Sequence, residues 1–259
     1  MIESAGNGGN YAAEIEHAAQ LLTNSQFTVA LTGAGISTPS GIPDFRSPAS
    51  GLWDKHNPME VAHISAFKQR PEDFYDWIRP LVKITNQAEP NPAHNALAQL
   101  EQNGPLRAII TQNIDGLHTR AGSETVYEVH GHTKDVECLA CGYSEPAEQH
   151  MIQLSEKGQV PMCKMCDRVM KPKVVLFGEL LPRQVMASAE HAVTQADVMI
   201  IAGSSLEVAP VSELPWRAHA GGAKLIIINY QPTYADSMAD VIIRDDVASA
   251  LPAIYSAFS

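Results

Sequence analysis

Positive charge is scarce in this chain: 18 Lys and Arg stand against 29 Asp and Glu in 259 residues, a formal charge of -11. The lack of a basic stripe to release counterions from phosphates argues against nonspecific nucleic-acid binding, and no direct nucleic-acid partner is expected. The acidic balance suits a basic substrate. No run of 18 apolar residues occurs, so no membrane span or membrane partner is expected. The opening MIESAGNGGN has neither a cationic n-region nor an apolar h-region, which argues against a signal peptide and for a cytoplasmic location. That Gly/Asn-rich start is expected to fray. Internal repeats and low-complexity tracts are also missing, and the length suits one sizeable core carrying a smaller inserted unit.

Cysteine is nearly absent as well. The four present, Cys138, Cys141, Cys163 and Cys166, form two Cys-x-x-Cys pairs, CLAC and CKMC. Each pair can turn both sulfurs onto one ion, so together they make a tetrahedral zinc site with Zn–S distances of about 2.3 Å. Four thiolates leave no position for water or substrate, and the expected Zn2+ is therefore a single structural ion. The alternatives, two disulfides or a redox Cys-x-x-Cys, fit poorly with a reducing compartment.

Short β-branched runs recur at Phe27 to Thr32, Ala108 to Thr111, Val126 to Val129, Val174 to Phe177, Val198 to Ala202, Leu225 to Asn229 and Val241 to Ile243. Near-continuous apolar runs read as strands covered on both faces, which implies a mostly parallel sheet. Helical periodicity lies between them, at Ala12 to Leu22, after the Asn91-Pro92 N-cap signal as far as Gly104, at Leu181 to Ala196 and at Val247 to Phe258. The fold class expected is α/β, a Rossmann-like mostly parallel sheet with helices on both faces. Residues 1–131 and 172–259 would form it, with a small zinc-binding module inserted at 132–171. Residues 36–86, rich in Pro, Gly, Trp and Phe, read as a flexible cofactor-binding loop with short helices.

The run FTVALT leads into Gly33-Ala34-Gly35, where glycines allow a tight turn and a close approach of backbone N–H groups to a pyrophosphate. An ordinary strand-to-helix turn would look the same. A dehydrogenase fingerprint is incomplete, because Thr38 occupies the third glycine position and Asp54 sits in GLWDKHNP instead of ending a second strand.

The continuation is more specific. GAGISTPSGIPDFRS from Gly33, TQNIDGLH from Thr111, VHG from Val129, VVLFGELLP from Val174, GSSLEVAP from Gly203 and INYQPT from Ile228 occur in that order around the cysteine module. In these motifs the chain resembles the sirtuins, NAD-dependent protein deacylases of bacterial or archaeal type, over almost its whole length. The resemblance implies NAD as a consumed co-substrate and acetylated-lysine proteins or peptides as partners. It assigns catalysis to His130, Asn113 and Asp115. NAD contacts fall on Gly33, Ala34, Gly35, Ile42, Asp44, Phe45, Arg46, Gln112, Ile114, Gly203, Ser204, Ser205, Asn229, Tyr230, Gln231 and Val247. Substrate contacts fall on Val174, Val175, Phe177, Gly178, Glu179 and Val208.

Chemistry agrees with these assignments. Asn113 and Asp115 follow a strand end, where their side chains can hold a ribose, a carboxamide or a water; capping of the next turn is the plainer reading. His130 follows another strand, and an imidazole with an ordinary pKa near 6.5 suits a general base. Phe45 could cover the reacting sugar and Arg46 meet phosphate, while Asp44 either braces the loop or touches the cofactor. Ser204, Ser205 and Asn229 suit the adenosine half, or simply form turns. An extended peptide could add as a strand between 174–179 and 207–210, with an apolar tunnel at Phe177 and Val208 taking a neutral acyl-lysine. His94, His191, His219 and His132 read as bland, and His118 as structural.

By resemblance, the acyl oxygen attacks the anomeric carbon of the nicotinamide ribose and expels nicotinamide. His130 then assists the ribose hydroxyl, and water releases lysine and O-acetyl-ADP-ribose. The chain departs from the desuccinylase pattern, since Ile78 stands three residues after Tyr75 and Arg79 one further on. Ser204 replaces a common Thr, and Asp245-Asp246 precede Val247 where a glycine turn is common. Rival readings are a protein mono-ADP-ribosyltransferase, a desuccinylase or demalonylase, and a non-catalytic NAD- and zinc-binding module.

Overall fold

A computed structural model describes residues 11–47, 51–52 and 57–259. The opening decapeptide and Asp54 lie outside the described residues. Among the described residues, six parallel strands build the main sheet: β1 (Thr28–Thr32), β2 (Leu106–Thr111), β3 (Val126–Glu128), β7 (Val198–Ala202), β8 (Lys224–Ile228) and β9 (Val241–Ile243), in the order β3-β2-β1-β7-β8-β9. A second, antiparallel sheet has the order β5-β4-β6, from β4 (Gly131–Glu137), β5 (Ser144–Pro146) and β6 (Lys171–Val174).

Strand alternation splits the core in two. Ala30, Ile109, Ile200 and Ile226 face the helices α1 (Ala12–Asn24), α5 (Pro92–Asn103) and α10 (Val247–Phe258). Their neighbours Leu31, Ile110, Ile201 and Ile227 face α8 (Arg183–Gln195) and α9 (Leu214–Ala220) on the other side. Burial on both faces explains why these strands read as unbroken apolar runs. Each fully buried Ile or Leu contributes about 1.5–3 kcal/mol. The Asn91 cap is present: its side chain accepts from the Ala93 N–H at 2.9 Å, and His94 Nδ1 accepts from the Asn91 N–H at 3.3 Å.

Two expectations are corrected. Val174 to Phe177 is not a strand of the parallel sheet; β6 ends at Val174, and the rest is a loop that packs Leu176 into a third core. Residues 36–86 are less loop-like than expected. Beyond α2 (Pro58–Val61) and α3 (Ile64–Gln69) they contain α4 (Pro71–Gln87), a 17-residue helix. Pro71 starts it at a position whose N–H needs no intrahelical partner, whereas the interior Pro80 disguises it in the sequence. The third core joins Phe67, Phe74, Tyr75, Ile78 and Val82 of α3 and α4 to Val136, Cys138, Cys163 and the helix α7 (Glu148–Lys157). The remaining short helix, α6 (Leu117–Arg120), follows β2.

Candidate active site

β1 and β7 pair in parallel and end together at Thr32 and Ala202. The chain proceeds from β1 toward one edge of the sheet and from β7 toward the other, and open α/β sheets bind ligands beyond such a switch point. Here the two strands continue into interlocked turns. The Gly33 N–H donates to the Ala202 carbonyl at 3.2 Å and the Gly35 N–H to the Gly203 carbonyl at 2.9 Å. A Cβ on Gly203 would lie 2.3 Å from the Ile36 nitrogen and 2.5 Å from the Gly35 carbonyl carbon, and φ there is +62°. Gly203→Ala therefore forces the two turns apart, adding a left-handed penalty of about 1–2 kcal/mol. The expected result is a loss of NAD affinity of at least about tenfold, measured by calorimetry. Wild-type affinity in this variant would show that the turns do not form the nucleotide cradle.

The switch point opens into a cleft of about 1270 Å³. Gly33 to Gly35, Ile42 and Asp44 to Arg46 reach it from the end of β1, Gln112 to Asp115 from β2, and His130 from the turn after β3. Gly203 to Ser205, Asn229 to Gln231 and Val247 complete that side from β7, β8 and the start of α10. Val174, Val175, Phe177, Gly178, Glu179 and Val208 line the same cleft. The expected cofactor and substrate residues are thus neighbours in space.

Their bonds are specific. Asn113 Nδ2 donates to the Gly33 carbonyl and to Ser37 Oγ, each at 3.1 Å, and Ser37 Oγ donates to Asp115 Oδ2 at 2.7 Å. Asp115 also serves as a turn cap, because Oδ1 accepts from the Leu117 N–H at 2.9 Å. Gln112 Nε2 reaches Ser204 Oγ at 2.8 Å across the switch point. Asp44 braces its loop, accepting from the N–H of Arg46 at 2.8 Å and of Ser47 at 2.6 Å. Arg46 Nε pairs with Glu207 at 2.7 Å, which joins the loop after β1 to the loop after β7.

His130 Nδ1 lies 3.1 Å from the Gln112 carbonyl. A carbonyl only accepts, so Nδ1 carries the hydrogen and Nε2 of the neutral ring keeps its lone pair. Burial lowers the pKa from 6.5, the Gln112 bond opposes that, and the Arg46 charge adds to the lowering. The ring is a neutral base at pH 7.

Behind the site two further imidazoles are buried with centroids 4.8 Å apart, His94 and His118. Thr32 Oγ1 gives its hydrogen to Thr111 at 2.9 Å, so His118 Nε2 donates to Thr32 at 2.9 Å. Burial lowers the pKa of His94 to about 4, against a raising effect of Asp115, and that of His118 to about 3, helped by His94. Unfolded, both rings take up protons near 6.5, so the unfolded state holds more protons below that pH and stability declines as pH falls toward 4 and 3. Each ring costs about 2 kcal/mol by pH 5. A melting temperature at least about 5 °C lower at pH 5 than at pH 7 is expected, and a flat profile would contradict the buried neutral pair.

Cys138 and Cys163 of the cysteine cluster lie in the third core, which shares Phe74, Ile78 and Val82 with the cleft wall. The cluster's four Sγ atoms lie within 4.8 Å of one another, near the edge of about 3.8 Å that tetrahedral zinc requires. Cys138 and Cys163 are buried, and the chain turns back after each, with the Gly142 N–H donating to the Cys138 carbonyl at 2.9 Å and the Asp167 N–H to the Cys163 carbonyl at 2.8 Å. The residues fit a structural zinc, and none of the four lines the cleft.

Sequence reasoning missed one wall of the cleft. Phe74, Ile78, Leu81, Val82 and Thr85 line it from α4, spaced as one helical stripe that the motif-based reading passed over. Ser37, which links Asn113 to Asp115, carried no distinguishing signal inside GISTPS.

Comparison with known proteins agrees with this geometry. The model of the Sir2 family matches residues 33–210. NAD-dependent protein deacylase 2 of Archaeoglobus fulgidus is 45% identical over 242 residues, covering 93% of this chain and 94% of its own. A solved structure described as Sir2 with p53 peptide and NAD+ superposes with a TM-score of 0.85 at 40% identity, covering 93% of this chain and 97% of that one. Another, of a Sir2 histidine-to-alanine variant with deacetylated p53 peptide and 3′-O-acetyl-ADP-ribose, gives 0.88 at 40% identity with coverage of 93% and 97%. A family model matched over residues 33–210 and a relative 45% identical over 93% of the chain place it in the Sir2 family of NAD-dependent protein deacylases.

Proposed function

We propose that the chain removes acetyl groups from protein lysines with NAD as consumed co-substrate, using His130 as the base. The observation that carries this is the shared cleft: the glycine cradle, His130 and the 174–179 wall open onto one volume. Gly33 to Gly35 and Arg46 would take the pyrophosphate, Ser204, Ser205, Asn229, Tyr230, Gln231 and Val247 the adenosine half, and Ile42, Phe45, Gln112 and Ile114 the nicotinamide side. Asn113 and Asp115 orient the ribose and hold the carboxamide. NAD would supply a labile glycosidic bond, its anomeric carbon passing to the acyl oxygen as nicotinamide leaves. His130 Nε2 takes the proton of the ribose hydroxyl as that hydroxyl attacks the acyl carbon, and water then frees the lysine amine. Val174, Val175, Phe177, Gly178, Glu179 and Val208 hold the peptide.

Longer neutral acyl chains are a second reading, favoured by the apolar wall of Phe74, Trp77, Ile78 and Leu81. Dicarboxylic acyl groups lack a partner in that wall. The buried Tyr75 hydroxyl donates to the Met170 carbonyl, and Arg79 Nε turns to the Ser155 carbonyl at 3.4 Å. A panel of acetyl-, longer acyl- and succinyl-lysine peptides with NAD tests both readings. Acetyl turnover with O-acetyl-ADP-ribose as product and weak succinyl turnover are expected; ADP-ribose left on protein would favour the transferase. Zinc is structural, on Cys138, Cys141, Cys163 and Cys166, within a module at 132–171 inserted into the NAD-binding unit. A cytoplasmic location is inferred from thiols kept for metal. Among the described residues no helix is long and apolar enough to cross a membrane.

A further inference from the structure

Lys171 opens β6 with a side chain only 2% exposed. A buried cation costs several kcal/mol unless its charge is paired and its hydrogens are used. Here all three have acceptors. The amine meets the carbonyl of Val174 at 2.7 Å, the carbonyl of Pro172 at 3.2 Å and Glu179 Oε2 at 3.1 Å. The same carboxylate oxygen accepts from the Leu176 N–H at 2.9 Å, and the Glu179 N–H closes the turn on the Leu176 carbonyl at 3.0 Å. One cation therefore ties both ends of the segment 174–179 together.

That segment has two further attachments. The Val175 N–H donates to the His130 carbonyl at 2.8 Å. Phe177 exchanges backbone bonds with the other bank, its N–H to the Ala62 carbonyl at 2.9 Å and its carbonyl from the Ile64 N–H at 3.0 Å. Apolar packing alone would not need a charge here, since a methionine of similar length fills such a position. A fixed loop does need one, because the residues after β6 leave the sheet and lose its ladder bonds.

We propose that Lys171 is a positioning residue for substrate binding: its ion pair with Glu179 and its bond to the Val174 carbonyl hold the 174–179 wall at the spacing an added peptide strand requires. This rests on the deacylase reading above. Backbone recognition by strand addition depends on such spacing, because main-chain hydrogen bonds supply most of the affinity. The NAD cradle, built on β1 and β7, does not depend on it.

Steady-state kinetics with an acetyl-lysine peptide and NAD separate the two. Lys171→Met should raise the peptide KM by about tenfold or more while the NAD KM stays within about twofold. Glu179→Gln, whose amide oxygen still accepts from Leu176, should raise it less. The double variant leaves no lone buried charge, so its loss should be smaller than the product of the single losses. An unchanged peptide KM in folded Lys171→Met, or equal rises in both KM values, would overturn the proposal and leave Lys171 a purely structural residue. Should that variant fail to fold, Glu179→Gln decides: a wild-type peptide KM there overturns the proposal too. A wild-type enzyme inactive on every acyl-lysine peptide would instead refute the deacylase reading, and the proposal with it.

Discussion

Replacing His130 with alanine should lower deacylation by about 10²–10⁴-fold, the usual worth of a positioned base, with NAD binding and melting temperature close to wild type. The prediction follows from the ring's bonds. Nδ1 is committed to the Gln112 carbonyl, so the basic nitrogen is Nε2, and Gln112 in turn is fixed to Thr32 through its N–H at 3.0 Å and to Ser204 through Nε2. Alanine removes the base while these braces remain. Burial keeps the ring's pKa below 6.5. The neutral form therefore predominates above that value, and kcat should lose activity only as pH falls below it. Deacylation rates of wild type and variant across pH 5.5 to 8.5 check both parts. Unchanged turnover in His130→Ala would remove the base from the account.

Loss of zinc should act on stability before it acts on chemistry. Cys138 and Cys163 lie in the same core as Phe74, Tyr75 and Val82 of α4. Releasing the four sulfurs loosens that core, and α4 also lines the cleft. Structural zinc contributes about 10–16 kcal/mol in isolated zinc-finger peptides, and a loss of a third of that corresponds to a fall of roughly 6–10 °C in a domain of this size. Chelation, or Cys163→Ser, should therefore lower the melting temperature by about that much, with metal content followed in parallel. Residual folded enzyme should keep its chemistry, because a closed four-thiolate site has no position for substrate. A metal-free protein that melts with the wild type would end the structural assignment.

Much of this was legible in the sequence, for identifiable reasons. The parallel strands announced themselves because both faces of β1, β7 and β8 are buried, and helices cover them on either side. Val174 to Phe177 imitated such a strand because it too is an unbroken apolar run, but only Val174 and Leu176 are buried, and its side chains serve the third core and the cleft wall. Sequence cannot tell the two kinds of burial apart. The motifs brought the site residues to strand ends, where a parallel sheet gathers them on one edge. Pairwise contacts were out of reach: the Arg46 pairing with Glu207, the edge-to-face contact of His94 with His118 and the ties of Lys171 to Glu179 each join residues whose nearness depends on the folded turns. The α4 wall was hidden by Pro80 and by the polar residues that share its helix.

A crystal structure with an acetyl-lysine peptide and an unreactive NAD analogue tests the central claim most directly. The account predicts the acyl oxygen beside the anomeric carbon, the dinucleotide on the turns of Gly33 to Gly35 and Gly203, and His130 Nε2 facing the ribose hydroxyls. Peptide and dinucleotide bound in separate pockets, with that nitrogen turned from the sugar, would contradict it.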